Sequence, residues 1–202
     1  MLIFSVVGTD RALDISEVAK AAFQKPKLPP GIEPGLYEHG DFGSDAGPVF
    51  PNGAHLAEVE IDADTGRVEL VSYHCVDDAG NILNPLLFDG QVHGGIVQGT
   101  GQILMEDVHY DPESGQLLTG SLMDYAMPRA DDFCHFELDT NEVPTEHNPL
   151  GVKGVGEAGT VGAMPAVMNA VNDALHRIGA PQVEMPATAE KVWRAVQDRG
   201  GI

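Results

Sequence analysis

The alternation of apolar and polar positions is clearest between Ala54 and Asp78. Ala57, Val59 and Ile61 alternate with Glu58, Glu60 and Asp62, the period of two expected of a strand with one wet face. The turn sequence DADTGR follows, then VELVSYHCVDD, whose more continuous apolar character predicts a central partner strand. Tyr73 and His74 on that strand read as packing groups. Upstream, Met1–Gly8 reads as a strand. DISEVAKAAF reads as a short helix with Ser16 as N-cap and Val18, Ala19, Ala22 and Phe23 on one face. Pro26–Gly53 carries many prolines and glycines and neither period, which predicts an extended segment wrapped over a surface.

Past the strands the period lengthens. Asn84 and Pro85 make an N-cap and first-turn pair for the helix LLFDGQVHGGIVQGTGQILM. Five glycines in it, Gly90, Gly94, Gly95, Gly99 and Gly101, cost about 1 kcal/mol each against alanine, so some contact must compensate. At helical spacing Gln91, Gln98 and Gln102 share a narrow stripe with Gly94 and Gly95 beside it, while Val92, Ile96 and Ile103 point away. Amides donate and accept at once, which suits a flat heterocycle with a mixed edge; the other reading of this face is close packing against another backbone. His93, close to the stripe, reads as structural.

VHYDPESGQLLTGS predicts a second hairpin and FCHFELDT a further short strand, while Asp124 and Tyr125, just before Pro128, suit a corner. A helix is expected over Pro165–Ile178, with Val167, Val171, Leu175 and Ile178 inward and Gly179 at its end. A last helix follows Thr188, with Val192, Trp193 and Val196 inward. The elements together predict an α+β fold, a mixed sheet and hairpins packed with helices.

Between these elements lies GVKGVGEAGTVG, Gly151–Gly162, with five glycines in twelve residues around one carboxylate, Glu157. Glycine is used where the backbone turns left-handed or another group comes close, so the loop is shaped around something. Gly154, Gly156 and Gly159 match a G-x-G-x-x-G spacing, but EVPTEHNPLGVK before it is too polar and proline-broken for the strand of a dinucleotide-binding unit. Two readings of Glu157 remain from the residues: a carboxylate placed for proton transfer or ligand orientation, and a solvated side chain in a tight connection.

Composition narrows the partners. The chain has 202 residues, 43% of them hydrophobic, and a formal charge of −20, so nucleic acid and anionic membranes would be repelled. Cys75 and Cys134, the two cysteines, are too few and too far apart for a disulfide framework or a zinc or iron–sulfur cluster held by this chain alone, and both read as reduced, packed thiols. MLIFSVVG lacks a positive segment before it and is followed by Asp10, which reads as a strand and not a leader, and a cytoplasmic location is expected.

GVKGVGEAGTVGAMPAVMNAV resembles the C-terminal signature of the molybdenum-binding large subunits of the xanthine oxidase family, in the branch of aerobic carbon monoxide dehydrogenase and aldehyde oxidase-like hydroxylases. NPLLFDGQVHGGIVQGTGQILMED and GQLLTGSLMDYAMPRADD match in the same order, so the likeness spans nearly the whole chain. It implies residues 1–202 as a C-terminal molybdopterin-binding fragment, with 1–53 as strand, helix and extended wrap and 54–202 as the α+β core.

The resemblance also implies a chemistry. Glu157 matches the general base of enzymes that hydroxylate a carbon centre with water-derived oxygen, and Gln98, Gly95, Gly99, Lys153, Gly154 and Gly156 match the cofactor-contacting segments. Lys153 is expected either to orient the loop or counter cofactor charge, or to be a plain surface lysine. The cofactor implied is molybdenum-molybdopterin in its cytosine dinucleotide form, shared with another chain, with iron–sulfur clusters and FAD on partner subunits. The chain matches about the last quarter of such subunits. It is therefore expected to act in a hetero-oligomer with a complementary molybdenum-subunit chain, on a small-molecule substrate: carbon monoxide, an aldehyde or a nitrogen heterocycle. The alternative expectation is a non-catalytic remnant serving as an assembly module.

Overall fold

A computed structural model describes residues 3–43 and 47–199, and the chain divides into two compact units, Met1–Gly43 and Ser44–Ile202. In the first unit, β1 (Ile3–Ser5) pairs antiparallel with β2 (Ala12–Asp14), and α1 spans Ile15–Ala22. Met1 and Leu2 of the expected first strand lie outside the described residues. Asp14 caps α1, not Ser16: its carboxylate accepts the Ser16 N–H at 2.8 Å, and Glu17 accepts the Asp14 N–H at 3.4 Å. The shorter Ser16 side chain already sits inside the first turn, where aspartate two positions earlier reaches the free amides better.

The second unit is built on a three-stranded sheet of order β3-β4-β5. β3 (Asn52–Ile61) and β4 (Val68–Asp78) are antiparallel, with His55 opposite Cys75 and Gly53 opposite Asp77, and a bulge at Glu58/Val59. β5 (Phe136–Thr140) lies parallel on the other edge of β4, so β4 is central, as its apolar run predicts. Along β3 the side chains alternate as expected, and His55 falls in phase with Ala57, Val59 and Ile61. The expected hairpin at residues 108–121 is reduced to one bridge, Tyr110 to Leu117, around a turn held by Asp111 and by Gly115 at φ +70.

α2 (Pro85–Leu104) begins as the sequence predicts, with the Asn84 side chain accepting the Leu87 N–H at 3.2 Å. α3 runs over Ala158–Arg177, so it starts well before the expected Pro165, which sits inside it. Proline in a helix interior removes a hydrogen bond to the residue four before it. The early turns are nevertheless helical because they are seated on α2. A Cβ on Gly159 would fall 2.4 Å from the Val92 carbonyl oxygen, and one on Gly95 would fall 2.9 Å from the Gly159 Cα. Glycines on both helices thus let two backbones meet where larger residues would hold them apart.

The apolar faces of α2 and α3 close over the sheet around Tyr73, Phe88, Val92, Ile96 and Val167. Further along α3, Val171 and Leu175 pack with Val192 and Val196 of α4 (Ala189–Gln197). Two expectations fail here. Ile178 is the exposed C-terminal cap of α3, and Trp193 is 41% exposed. α4 lies so near the β3–β4 turn that a Cβ on Gly66 would be 2.6 Å from the Trp193 nitrogen, so the turn meets the helix backbone and leaves the indole partly uncovered. No helix among the described residues is long and apolar enough to cross a membrane.

Candidate functional site

Only Gly151–Glu157 of the glycine segment is loop; the remainder is the first part of α3. Glu157 is the N-cap of α3, and its side chain makes no capping bond, hydrogen bond or ion pair among the described residues. The carboxylate is exposed, yet it does not face open water on all sides. It lines a concavity of about 250 Å³ with Phe50, Asn52, His55, Asp77 and Val161. A chemically unspent acid at the rim of a hollow is available for a ligand.

The amide stripe of α2 comes up to the same loop. Gln91, Gln98 and Gln102 are exposed, and Gly94 has open space over its Cβ position. The Thr160 hydroxyl contacts the Gly95 carbonyl oxygen at 3.1 Å and Gln98 Oε1 at 3.3 Å, which ties the first turn of α3 to the stripe. A Cβ on Gly156 would meet Gln91 Oε1 at 3.7 Å, and one on Gly154 would meet nothing within 4 Å. Gly156 therefore borders Gln91, and Gly154 has open space over its Cβ position.

Gly95 and Gly99 have a different setting. Both are buried against α3, where a Cβ on Gly99 would fall 2.8 Å from the Thr160 carbonyl oxygen. The helix face divides into adjacent strips: glycines packed on a neighbouring backbone, and amides left exposed.

Lys153 is not a free surface lysine. Its Nζ donates to Asp78 Oδ2 at 2.5 Å, and both side chains are 11% exposed. Burial pushes the Asp78 carboxyl up, but the Lys153 hydrogen bond, the Gly80 and Val143 amides and the lysine charge together outweigh it and hold the group below its usual range. Asp78 thereby joins the end of β4 to the loop that leads into Glu157, reinforced by the Lys153 N–H donating to the Ala79 carbonyl at 2.8 Å.

The floor of the concavity holds residues that motif reading missed. His55 Nδ1 is hydrogen-bonded to the Tyr73 hydroxyl at 2.7 Å, and Nε2 lies 3.2 Å from Asp77 Oδ1. The His55 and Asp77 side chains are 5% and 2% exposed. Their sequence signal was phase: His55 and Asp77 stand on the inward side of strands whose other inward residues are mostly apolar. Tyr73 is the satisfied packing group expected, whereas His74, expected to pack as well, points to the opposite face of β4 and is exposed against Ser72. A separate hollow of about 370 Å³, lined by Arg67, Leu70, Thr100 and Phe133, contains none of the sequence-predicted site residues.

Residues 3–134 match the family described as molybdopterin cofactor-binding domain. The chain belongs to that family. The matched span includes Gln98, Gly95 and Gly99 and stops before Lys153, Gly154, Gly156 and Glu157.

Over 195 residues the chain is 43% identical to the nicotine 6-hydroxylase large subunit of Paenarthrobacter nicotinovorans, covering 96% of this chain and 24% of the relative. It is 34% identical over 201 residues to the carbon monoxide dehydrogenase large chain of Hydrogenophaga pseudoflava, with the same coverage of 96% and 24%. Among solved structures, reconstituted CO dehydrogenase from Oligotropha carboxidovorans superposes with a TM-score of 0.79 at 34% identity, over 98% of this chain and 24% of that one. The chain thus spans about a quarter of the length of these relatives. Their shared α+β architecture agrees with the fold class read from the sequence.

Proposed function

We propose that this chain is the part of a molybdenum hydroxylase that supplies the general-base carboxylate, Glu157, and contacts to the pterin of the cofactor. The observation that carries the reading is the juxtaposition of an uncommitted Glu157 at the head of α3 with the exposed amides of Gln91 and Gln98, joined through Gly156 and Thr160.

The residues fit the group. A pterin presents donors and acceptors along one edge, and Gln98 has its Oε1 against Thr160 and its amide nitrogen free to donate. Gly154 and Gly156 leave backbone exposed without side chains, so a planar ligand can lie against the loop. Gly95 and Gly99 act by letting α3 approach, which holds Thr160 and Gln98 in register. Lys153, engaged with Asp78, stiffens the loop.

The chemistry supplied by the bound cofactor is transfer of a water-derived oxygen and acceptance of the electron pair. The part of this chain is acid–base: Glu157 takes a proton from the attacking oxygen, a contribution of about 10²- to 10⁴-fold in rate when the carboxylate is within hydrogen-bond reach. The concavity beside it gives a small-molecule substrate somewhere to lie. A nitrogen heterocycle is favoured over an aldehyde or carbon monoxide by the higher identity to the nicotine hydroxylase subunit, 43% against 34%.

A complementary molybdenum-subunit chain is part of this proposal. Leu122 and Met123 are 77% and 92% exposed in the second unit, and Leu86 and Leu87 are exposed at the start of α2, apolar surface of the sort a partner covers. Iron–sulfur and flavin subunits, a cytosine dinucleotide form of the cofactor and a cytoplasmic hetero-oligomer complete the reading. Co-expression with a chain carrying the regions of the relatives that this chain does not span tests it: the expected product is a complex containing molybdenum, with dye-linked oxidation of a nitrogen heterocycle that Glu157→Gln suppresses. A chain that folds yet never recruits a molybdenum-containing partner would instead be an assembly module or a remnant.

A further inference from the structure

Beneath the concavity, three metal-binding side chains of different kinds converge. His55 stands directly opposite Cys75 across the β3–β4 ladder, and Asp77, two residues on, projects from the same face. One donor atom from each, imidazole nitrogen, thiol sulfur and carboxylate oxygen, lies within 4.8 Å of the other two. A tetrahedral ion with bonds of about 2.0–2.3 Å places its donors roughly 3.3–3.8 Å apart, so a contraction of a few tenths of an ångström to about an ångström closes this set.

A second observation points to a ligand. Asp77 Oδ2 is fully buried and has no hydrogen-bond partner among the described residues, although the side chain is 2% exposed. An unpartnered carboxylate oxygen in a protein interior is costly, and where one persists a bound ion or water is the usual cause. The other ring nitrogen of His55 is held by Tyr73 at 2.7 Å, the kind of outer contact that fixes the ring of a metal-bound histidine.

We propose that His55, Cys75 and Asp77 form a binding site for a divalent cation of borderline softness, of the zinc class. Thiolate and imidazole together select such ions over magnesium or calcium. A dication with one thiolate, one carboxylate and neutral imidazole is electrically neutral, which suits a buried position. Binding is balanced: the Cys75 S–H bond breaks, the sulfur–metal bond forms and one proton leaves to solvent. The Nε2 lone pair goes to the ion, with the ring proton on Nδ1 facing Tyr73. No electron is transferred. His55 and Asp77 line the concavity and Cys75 does not, so the ion enters from that side and its fourth position is left to water. This site does not rest on the molybdenum reading, although His55 and Asp77 floor the same concavity as Glu157; it revises the expectation that two cysteines exclude zinc, because a histidine and an aspartate supply the other donors.

The test uses the whole chain, purified without chelator and titrated with Zn²⁺ and, separately, Co²⁺, with bound metal counted by mass spectrometry. The expected result is about one zinc per chain and a near-ultraviolet thiolate-to-cobalt absorption. Cys75→Ser, nearly isosteric, weakens zinc binding more than tenfold and abolishes the cobalt band. Asp77→Asn and His55→Gln weaken binding as well, whereas His74→Ala and Cys134→Ser change neither readout. Circular dichroism identifies any variant that fails to fold, and Cys75→Ser decides if Asp77→Asn is one. A wild-type chain that takes up no zinc, or uptake untouched by Cys75→Ser, overturns the proposal.

Discussion

The imidazole of His55 occupies the space that a side chain at Gly162 would need: a Cβ there would lie 2.4 Å from both Cδ2 and Nε2 of the ring. The ring cannot retreat, because Tyr73 and Asp77 hold its two nitrogens. β3 therefore sets how closely the first turns of α3, and with them Glu157, approach the sheet. Gly162→Ala is expected to destabilise the second unit by about 1–3 kcal/mol, the range for overpacking a fixed site. Urea unfolding measures it, and an unchanged midpoint would show that the helix shifts freely.

The α2–α3 crossing makes a sharper contrast between glycines of one segment. Gly159→Ala drives a methyl group onto the Val92 carbonyl, where backbone must move, and is expected to cost about 3 kcal/mol or more. Gly154→Ala meets nothing within 4 Å and should stay within about 0.5 kcal/mol of the parent chain. If Gly154 borders the pterin as proposed, the same substitution lowers the molybdenum content of the assembled complex while the melting temperature holds.

The ion pair between Lys153 and Asp78 predicts acid sensitivity. The Asp78 carboxyl is held below its ordinary value in the fold, so its contribution is present above the unfolded value near 3.8 and is lost as pH falls through the lower folded value. Lys153→Met leaves the buried carboxylate without its cation and is expected to cost about 3 kcal/mol at neutral pH. The loss should shrink as pH falls, because the carboxylate left without its cation protonates in the variant before it does in the parent chain, and be smallest below the lowered folded value of the parent. Stability measured from pH 3 to 7 in both proteins shows whether the difference follows that curve.

At the other end of the pH scale, burial pushes the Cys75 thiol up to about 12, with the nearby Asp77 charge adding to it. Its stabilising contribution is complete below the unfolded value near 9 and fades as pH rises toward 12. In the metal-free chain, native alkylation at pH 8 should leave Cys75 unmodified, whereas denaturant exposes it. Rapid labelling of Cys75 in folded protein would contradict its burial.

Glu157→Gln separates chemistry from folding. The side chain is exposed and makes no intramolecular bond among the described residues, so stability should change by less than about 0.5 kcal/mol. Turnover by the assembled enzyme should fall by about 10²- to 10⁴-fold. Retained turnover would remove Glu157 from its proposed role.

Much of this was legible along the chain because it is local. The period-two run of β3, the Asn84–Pro85 start of α2 and the split between its amide and aliphatic faces follow from spacing and capping chemistry, which act within a few residues. The same locality explains the errors. Pro165 looks like a helix start on propensity, and nothing nearby in sequence announces that Gly159 will rest on Val92 and make the preceding turns helical. Trp193 looks like a core residue on spacing, but the Gly66 turn packs on the α4 backbone beside it and the side chain stays 41% exposed.

What the sequence determined by itself was most of the elements of the second unit, the carboxylate standing alone among glycines and the amide stripe, since each is written in residues a few positions apart along the backbone. The tertiary structure decided which glycines serve packing and which stay open, that Lys153 is committed to Asp78, and that His55 reaches Tyr73, Asp77 and the neighbourhood of Cys75 from another strand. Those relations join residues about 20 to 75 positions apart, and they exist only after burial of the two helices on the sheet has fixed how close the backbones come.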